Sequence, residues 1–334
     1  METRWRDLVI VDYEIGLPGR AALEWELYSQ GMLRVPTVLL DEPHPFGRQR
    51  RPGIIDIPEG EYDVVLARIA QLLLDLDGVR CLASRADRLF TMVEEQLAIG
   101  DRQAGTGFPV GLIEQLCQLM ALHVINWMWP FEEFKRIASA VLGDEGAGHR
   151  AVLSLLVPTA PAHMLSFHQH VLAAVEQVAT DPASIHAVAV RLAGEVGFLQ
   201  RPAMPSLVPQ PWEHADTVVE VMTGWAATDP ARLGEQAKAL RTAHQRAQVD
   251  RRAAYAALLT ASSGDPARWR EVQAIATACQ LAADAEERRK VLQMRFLRLA
   301  RVVTAQHGLP LPTTTLADLE TAVTTPMSPT GLGC

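Results

Sequence analysis

The chain has 334 residues, of which 49% are hydrophobic and 21% are charged, and its formal net charge is −8 at pH 7. This length suits one large or two medium domains, and the apolar fraction excludes a disordered or fibrous protein. The acidic balance argues against nucleic-acid binding, because phosphate contacts need clustered cations. The one dense basic stretch, RQRRP at 48–52, is predicted to be a surface loop.

Cysteine usage and hydropathy bear on the location of the protein. The four cysteines are far apart and show no CxxC spacing, so neither a disulfide framework nor a zinc site is indicated; they are Cys81, Cys117, Cys279 and Cys334. No window reaches the roughly 18 uncharged apolar residues that a membrane span needs. The N-terminus has no long apolar run of the kind found in export signals. The sequence therefore predicts a cytoplasmic protein that is neither exported nor inserted in a membrane.

The first 60 residues are predicted to form an extended or irregular segment packed on a helical part. Short apolar runs at 8–13 and 35–43, and weak alternation in GIIDIPEG, favour a few short strands. From Glu61 onward the apolar residues recur at near-helical spacing, and 61–144 is predicted as a first helical subdomain. Its first helix is predicted to stop at Gly78, and Pro130 to kink or divide the long helical stretch over 112–142.

The second half of the chain is also predicted to be helical. Residues 145–162 are predicted as a connector, because glycine and proline punctuate both ends. Residues 163–325 follow as a second helical subdomain whose helices begin at Asp-Pro-Ala steps, and 326–334 are predicted as a flexible tail. The fold class is mainly α: an irregular bundle of helical hairpins with a few short N-terminal extended segments.

A group of histidines near the start of the second subdomain is a candidate metal site. His163 and His170 are seven residues apart and share a helical face, whereas His168 points elsewhere. A helical metal site would bring histidines at i and i+4, or converging carboxylates, and this sequence has neither. His163 and His170 are therefore weak metal candidates, and no metal is predicted.

An aromatic group lies near the middle of the chain. His123, Trp127 and Trp129 fall within seven residues of one another in a chain with only 6% aromatic residues. Core packing is the ordinary explanation for tryptophan at helical spacing. Trp127, Met128 and Trp129 are consecutive, however, and cannot all face one way on a helix. Part of this surface is therefore predicted to line a groove, a second interface or a pocket, and the functional interpretation is an apolar cavity for a bulky ligand.

Several segments, taken in order, resemble the helical substrate-binding region of phosphoenolpyruvate-synthase-like enzymes of the rifampicin phosphotransferase type. The similar segments are GLPGRAALEWELYSQG (16–31), the stretch 112–144, EVGFLQRP followed by QPWEHADTVVEVM, and the stretch 282–320. In that family an ATP-grasp domain phosphorylates a histidine on a swivelling domain, and the helical region binds the acceptor. The resemblance implies that Arg201 and Trp212, at the turn between EVGFLQRP and QPW, share a substrate cavity with His123, Trp127 and Trp129.

This chain lacks the ATP-grasp glycine loop and the phosphohistidine segment, and Leu199 stands where the family's turn has arginine. The resemblance thus implies an acceptor-binding subunit of a split phosphotransferase that is incomplete alone. It would use ATP only through separately encoded ATP-grasp and swivelling-histidine partners. The alternative is a stand-alone helical enzyme or binding protein for an apolar small molecule in natural-product biosynthesis.

Overall fold

The computed structural model describes residues 5–9, 22–42, 47–51, 54–58, 60–102, 108–109, 111–123, 128–160, 163–200, 211–228 and 230–324. Within these ranges, no helix combines the length and the apolar character needed to cross a membrane. The predicted tail at 326–334 lies outside the described residues.

Helices make up most of the described chain, which confirms the mainly α prediction. They are α1 (Ala22–Leu33), α2 (Val35–Leu40), α3 (Glu61–Leu74), α4 (Leu76–Arg102), α5 (Leu112–Ala121), α6 (Met128–Leu142), α7 (Glu145–Leu155), α8 (His163–Thr180), α9 (Ile185–Glu195), α10 (Ala215–Thr228), α11 (Pro230–Ser262), α12 (Pro266–Gln306) and α13 (Leu316–Thr324). Short 3₁₀ turns cover Pro182–Ser184, Gly197–Gln200 and Pro211–Glu213.

The N-terminal strands form a small antiparallel sheet. It contains β1 (Trp5–Val9), β2 (Arg48–Arg51) and β3 (Ile54–Pro58) in the order β1-β3-β2. The basic stretch at 48–52 was predicted to be a loop, and that prediction was wrong: β2 pairs with β3. The guanidinium of Arg48 also binds the buried carboxylate of Asp56 on β3, with 3.1 Å between Nε and Oδ2. Pairing with a later strand is a long-range effect that local composition does not reveal.

The described residues divide into two compact units. The first draws on Met1–Ala70, Leu82–Val124 and Arg295–Cys334, and the second on Gln71–Cys81 and Ile125–Met294. Each unit therefore takes residues from both predicted helical subdomains.

Two of the predicted Asp-Pro-Ala helix starts are confirmed as caps. The carboxylate of Asp181 accepts from the backbone N–H of Ala183, and that of Asp265 accepts from the N–H groups of Ala267 and Arg268. These bonds satisfy amide groups that the first turn of a helix leaves without intrahelical partners. The third start, at Asp229, lies outside the described residues.

Three local predictions were wrong. The apolar run after Arg34 forms helix α2 rather than an extended segment, and the connector contains the 11-residue helix α7, which Asp144 caps through the N–H of Ala147. Gly78 does not end a helix. The chain breaks earlier, at Asp75, whose carboxylate accepts from the N–H of Gly78 inside the first turn of α4.

The long helix predicted over 112–142 is two helices. Helix α5 ends at Ala121 and α6 starts at Met128, so the division falls before Pro130. Pro130 instead occupies the first turn of α6, where the missing N–H removes no helical hydrogen bond.

The core of the first unit is centred on the packing of α1 against α5. Gly31 on α1 lies so close to α5 that an added Cβ would be 2.5 Å from the Cβ of Met120 and 2.9 Å from its carbonyl carbon. Leu23, Leu27 and Leu116 are at most 1% exposed. Burying a leucine contributes about 1.5–3 kcal/mol, so this helix pair is a main source of stability for the unit.

Candidate functional site

Three of the five predicted site side chains cannot be placed. Trp127 and Arg201 lie outside the described residues, and so does the side chain of Trp129, although its backbone belongs to the first turn of α6.

The other two predicted site residues belong to different units. His123, in the first unit, makes an edge-to-face contact with Tyr28, with ring centroids 5.8 Å apart. Trp212, in the second unit, is 5% exposed and packs edge-to-face on Phe167 at 5.1 Å. The predicted shared cavity stays a prediction, and the placement of Trp212 shows that this residue also serves the core.

Trp212 belongs to an apolar cluster of the second unit. The cluster joins α8, α9, α10 and the two 3₁₀ turns that flank 201–210. Gly197 is required there, because an added Cβ would lie 2.1 Å from the carbonyl oxygen of Trp212. The turn that the resemblance marked as an acceptor site is therefore anchored by close backbone packing on the side that the structure describes.

The two weak metal candidates have different surroundings. His163 is 6% exposed at the start of α8, whereas His170 is exposed and its Nδ1 lies 2.8 Å from the carbonyl oxygen of Ser166. No group of three or more histidine, cysteine, aspartate or glutamate residues positioned to hold a metal ion occurs among the described residues.

His163 instead pairs with a carboxylate of α12. Oε2 of Glu287 accepts from the backbone N–H of His163 at 3.1 Å and lies 2.8 Å from its Nδ1. The other ring nitrogen, Nε2, is buried and has no hydrogen-bond partner among the described residues. Burial raises the pKa of Glu287, but the hydrogen bonds from His163 outweigh it and the net shift is downward.

A row of polar side chains on α12 extends this contact. Gln280 donates to the carbonyl of Val157, and Asp284 accepts from the N–H and the hydroxyl of Thr159 at 2.6 and 2.9 Å. Together with Glu287 these residues are spaced four and three apart, so they share one helical face. The row fixes the segment between α7 and α8, which is a structural task that the sequence did not reveal.

The second unit also buries a cation, Arg289, on α12. This side chain is 2% exposed and donates to Gln293 at 2.8 Å and to Glu286 at 2.9 Å. Both acceptors are within four residues on the same helix, so this ion pair stabilises α12 and its packing rather than presenting a cation to a ligand.

The described part of the first unit contains an open groove of about 450 Å³. One wall comes from the segment before α5 and the start of α5, and the other comes from α13. The lining residues are Phe108, Pro109, Gly111, Ile113, Ala317, Glu320, Thr321, Val323 and Thr324. Phe108 and Ile113 are buried at 6% and 5% exposure, so the floor of the groove is fixed by the core. Phe108 also packs edge-to-face on Phe296 at 5.7 Å.

The α13 wall is held at its N-terminus by reciprocal capping. The hydroxyl and the N–H of Thr315 both donate to Asp318 at 2.8 Å, and the N–H of Asp318 lies 3.2 Å from the Thr315 hydroxyl. These bonds lower the pKa of Asp318. The next amide, of Leu316, donates to the carboxylate of Glu26 on α1 at 2.7 Å. The wall is thus tied to α1, around which the unit is built.

The α5 wall is joined by an ion pair to Arg34, which lies between α1 and α2. Nε and Nη2 of Arg34 bind the two oxygens of Glu114 at 2.9 and 2.5 Å. The hydrogen bond from Arg34 lowers the pKa of Glu114 despite partial burial. Beneath this pair, burial raises the pKa of the Cys117 thiol to about 12, so this cysteine is an inert core residue.

Sequence reasoning missed the groove. Its walls are about 200 residues apart in the chain, and no spacing rule links them. The one available signal was the T-x-x-D pattern of Thr315 and Asp318, which predicts a helix start. Comparison of the chain with family models, with curated proteins and with solved structures gives no match.

Proposed function

We propose that this protein binds a mainly apolar small molecule in the groove between the start of α5 and α13. The observation that supports the proposal is the groove itself, whose volume of about 450 Å³ lies in the range of small-molecule sites. It combines a fixed aromatic and aliphatic floor with a few polar groups, which is the usual composition of such sites.

The groove supplies binding energy through apolar contact. Phe108, Ile113 and Val323 present apolar surface to it. Covering apolar surface contributes about 25 cal/mol per Å², from which the costs of immobilising the ligand are subtracted. The floor does not have to reorganise, because Phe108 and Ile113 are already packed in the core.

Both predicted functions require a ligand site, and the proposal follows the stand-alone binding protein. The groove is built from residues of this chain alone. The acceptor-binding role in a split phosphotransferase, with ATP-grasp and swivelling-histidine partners, stays a prediction that the co-purification experiment below addresses.

Nile red, a neutral apolar dye, tests the proposal by its fluorescence on titration with protein. Val323→Trp and Ala317→Trp each place a large ring in the groove, and we expect each to weaken dye binding at least tenfold. Val190→Trp is the matched control, because Val190 is 62% exposed on α9 in the second unit. Melting temperatures of all variants show whether the fold is kept. Equal dye binding by the wild-type protein and the two groove variants would overturn the proposal.

A further inference from the structure

We infer that the groove's ligand carries a cationic amine, which Glu320 binds. This inference rests on the proposed function, since it concerns the same groove. It names the class of ligand: an amphiphilic amine whose apolar part contacts Phe108 and Ile113 while its ammonium group lies beside α13.

Among the described residues that line the groove, Glu320 is the one with an ionisable side chain. It is exposed on α13, and its carboxylate forms no ion pair with the described part of the chain. A carboxylate next to an apolar floor attracts a cation whose remaining surface is apolar, because one molecule then satisfies both parts of the site.

The charges behind the groove strengthen this preference. Arg34 and the Cys117 thiol lie in the field of Glu320, and the same region contains Glu26 and Glu114. The surroundings of the Cys117 thiol thus contain three carboxylates and one guanidinium, which Glu114 already binds with both of its oxygens. The local excess of charge is negative, so Glu320 is not neutralised by its surroundings.

The two helix ends at the groove act in opposite directions. The C-terminal turn of α13, with Thr321 and Thr324, carries a partial negative charge that favours a cation, whereas the start of α5 at Gly111 carries a partial positive charge. Each helix end is equivalent to about half an elementary charge, so the two nearly cancel. The full negative charge of Glu320 therefore determines that the groove prefers a cation to an anion.

Hydrogen-bonding capacity points to the same class of ligand. The hydroxyl of Thr321 donates to the carbonyl of Ala317 at 2.8 Å, and that of Thr324 donates to the carbonyl of Glu320 at 2.8 Å. Since both hydroxyl protons are engaged with the helix, these groups offer acceptor lone pairs to a ligand. A primary ammonium has three donors and no acceptor, so it matches them.

Three ligands that share a naphthalene ring distinguish the contribution of ligand charge to affinity from that of apolar contact. They are 1-naphthylmethylamine, 1-naphthylmethanol and 1-naphthoate. Their affinities are measured at pH 7 by displacement of Nile red. We expect the amine to bind about fivefold more tightly than the alcohol, as fits one exposed ion pair, and the naphthoate to bind most weakly. The advantage of the amine should shrink between low salt and 1 M salt, because exposed charges are screened.

The variant Glu320→Gln should bring the amine and the alcohol within twofold of each other while leaving the affinity for the alcohol unchanged. Glu195→Gln, at an exposed position in the second unit, is the matched control and should keep the preference. If wild-type protein binds the alcohol as tightly as the amine, the inference fails and the proposed function stands. Persistence of the preference in Glu320→Gln would also overturn the inference. If the protein binds neither Nile red nor any naphthalene, both are wrong.

Discussion

Nδ1 of His163, at the start of α8, lies 2.8 Å from Oε2 of Glu287, 124 residues later on α12. The same oxygen accepts from the backbone N–H of His163, so one carboxylate both orients the ring and caps the helix. Because the imidazole is almost fully buried, removing its partner leaves a polar group without compensation.

The variant Glu287→Gln should lower the free energy of unfolding at pH 7 by about 1–3 kcal/mol. The folded pKa of Glu287 lies below its ordinary value of 4.5. The stabilisation is therefore complete above the unfolded pKa and is lost as the pH falls through the lower folded pKa. Urea unfolding at several pH values should show a gap between wild type and variant that narrows below about pH 4.5. Glu195→Gln should produce no such gap, and a gap that is constant down to pH 3 would contradict the role of this pair.

The close approach of α1 and α5 predicts opposite effects for two Gly→Ala changes. Gly31→Ala places a methyl group 2.5 Å from the Cβ of Met120, which should destabilise the protein by about 1–3 kcal/mol. Gly194→Ala, in α9, meets nothing within 4 Å and should stabilise the protein by up to about 1 kcal/mol through helix propensity. Thermal unfolding of the two variants measures both effects. A Gly31→Ala protein as stable as wild type would show that the two helices are not packed this closely.

The hydrogen bonds between Thr315 and Asp318 hold the N-terminus of α13, which forms one wall of the groove. Thr315→Ala removes the hydroxyl that bonds with Asp318 and should cost about 0.5–2 kcal/mol. Because α13 forms one wall of the groove, the same variant should weaken Nile red binding. Thr180→Ala, at the exposed end of α8, is the matched control. Within the described part of the chain, the Thr180 hydroxyl bonds only to the carbonyl of Glu176, one turn earlier. Unchanged dye binding by a destabilised Thr315→Ala protein would show that α13 is not positioned by its cap.

Both predicted functions give this chain no ATP site of its own, and they differ in whether it works with separately encoded ATP-grasp and swivelling-histidine partners. The sequence has no glycine-rich phosphate loop, so isothermal titration with ATP and Mg²⁺ should give no measurable binding by the purified protein. ADP and inorganic phosphate serve as controls for non-specific anion binding. Tight, saturable ATP binding would overturn the view that any ATP chemistry belongs to partner proteins. Co-purification with an ATP-grasp protein and a histidine-domain protein would favour the split phosphotransferase.

Local sequence patterns predicted most helices, but they failed where contacts with distant parts of the chain determine the secondary structure. Asp181 and Asp265 start helices because a side chain two or three residues away supplies the missing acceptor, which is a purely local effect. The apolar run at Val35–Leu40 is too short for its period to distinguish a strand from a helix. β2 exists because its backbone pairs with β3, an interaction that arginine-rich composition does not indicate.

The candidate groove was harder to predict than the fold. Its floor at Phe108 and its carboxylate at Glu320 come from the second and third of the three stretches of chain that form the first unit. Taken alone, Phe108 reads as an ordinary core residue and Glu320 as an ordinary surface residue. Only the packing of α1 on α5 and α13 gives them a common role. The predicted aromatic site likewise depended on residues whose neighbours cannot be derived from spacing.

The first unit is assembled from three separate stretches of chain, the last of which begins at Arg295. During synthesis, the stretches 22–40 and 82–123 are made long before α13. Until α13 is synthesised, the Glu26 carboxylate lacks the Leu316 amide that it binds in the folded protein, and the groove lacks its second wall. Contacts between such distant residues slow folding, since a long loop must close before they form. We therefore expect nascent chains shorter than about 300 residues to expose the apolar face of α1 and α5 and to depend on chaperones.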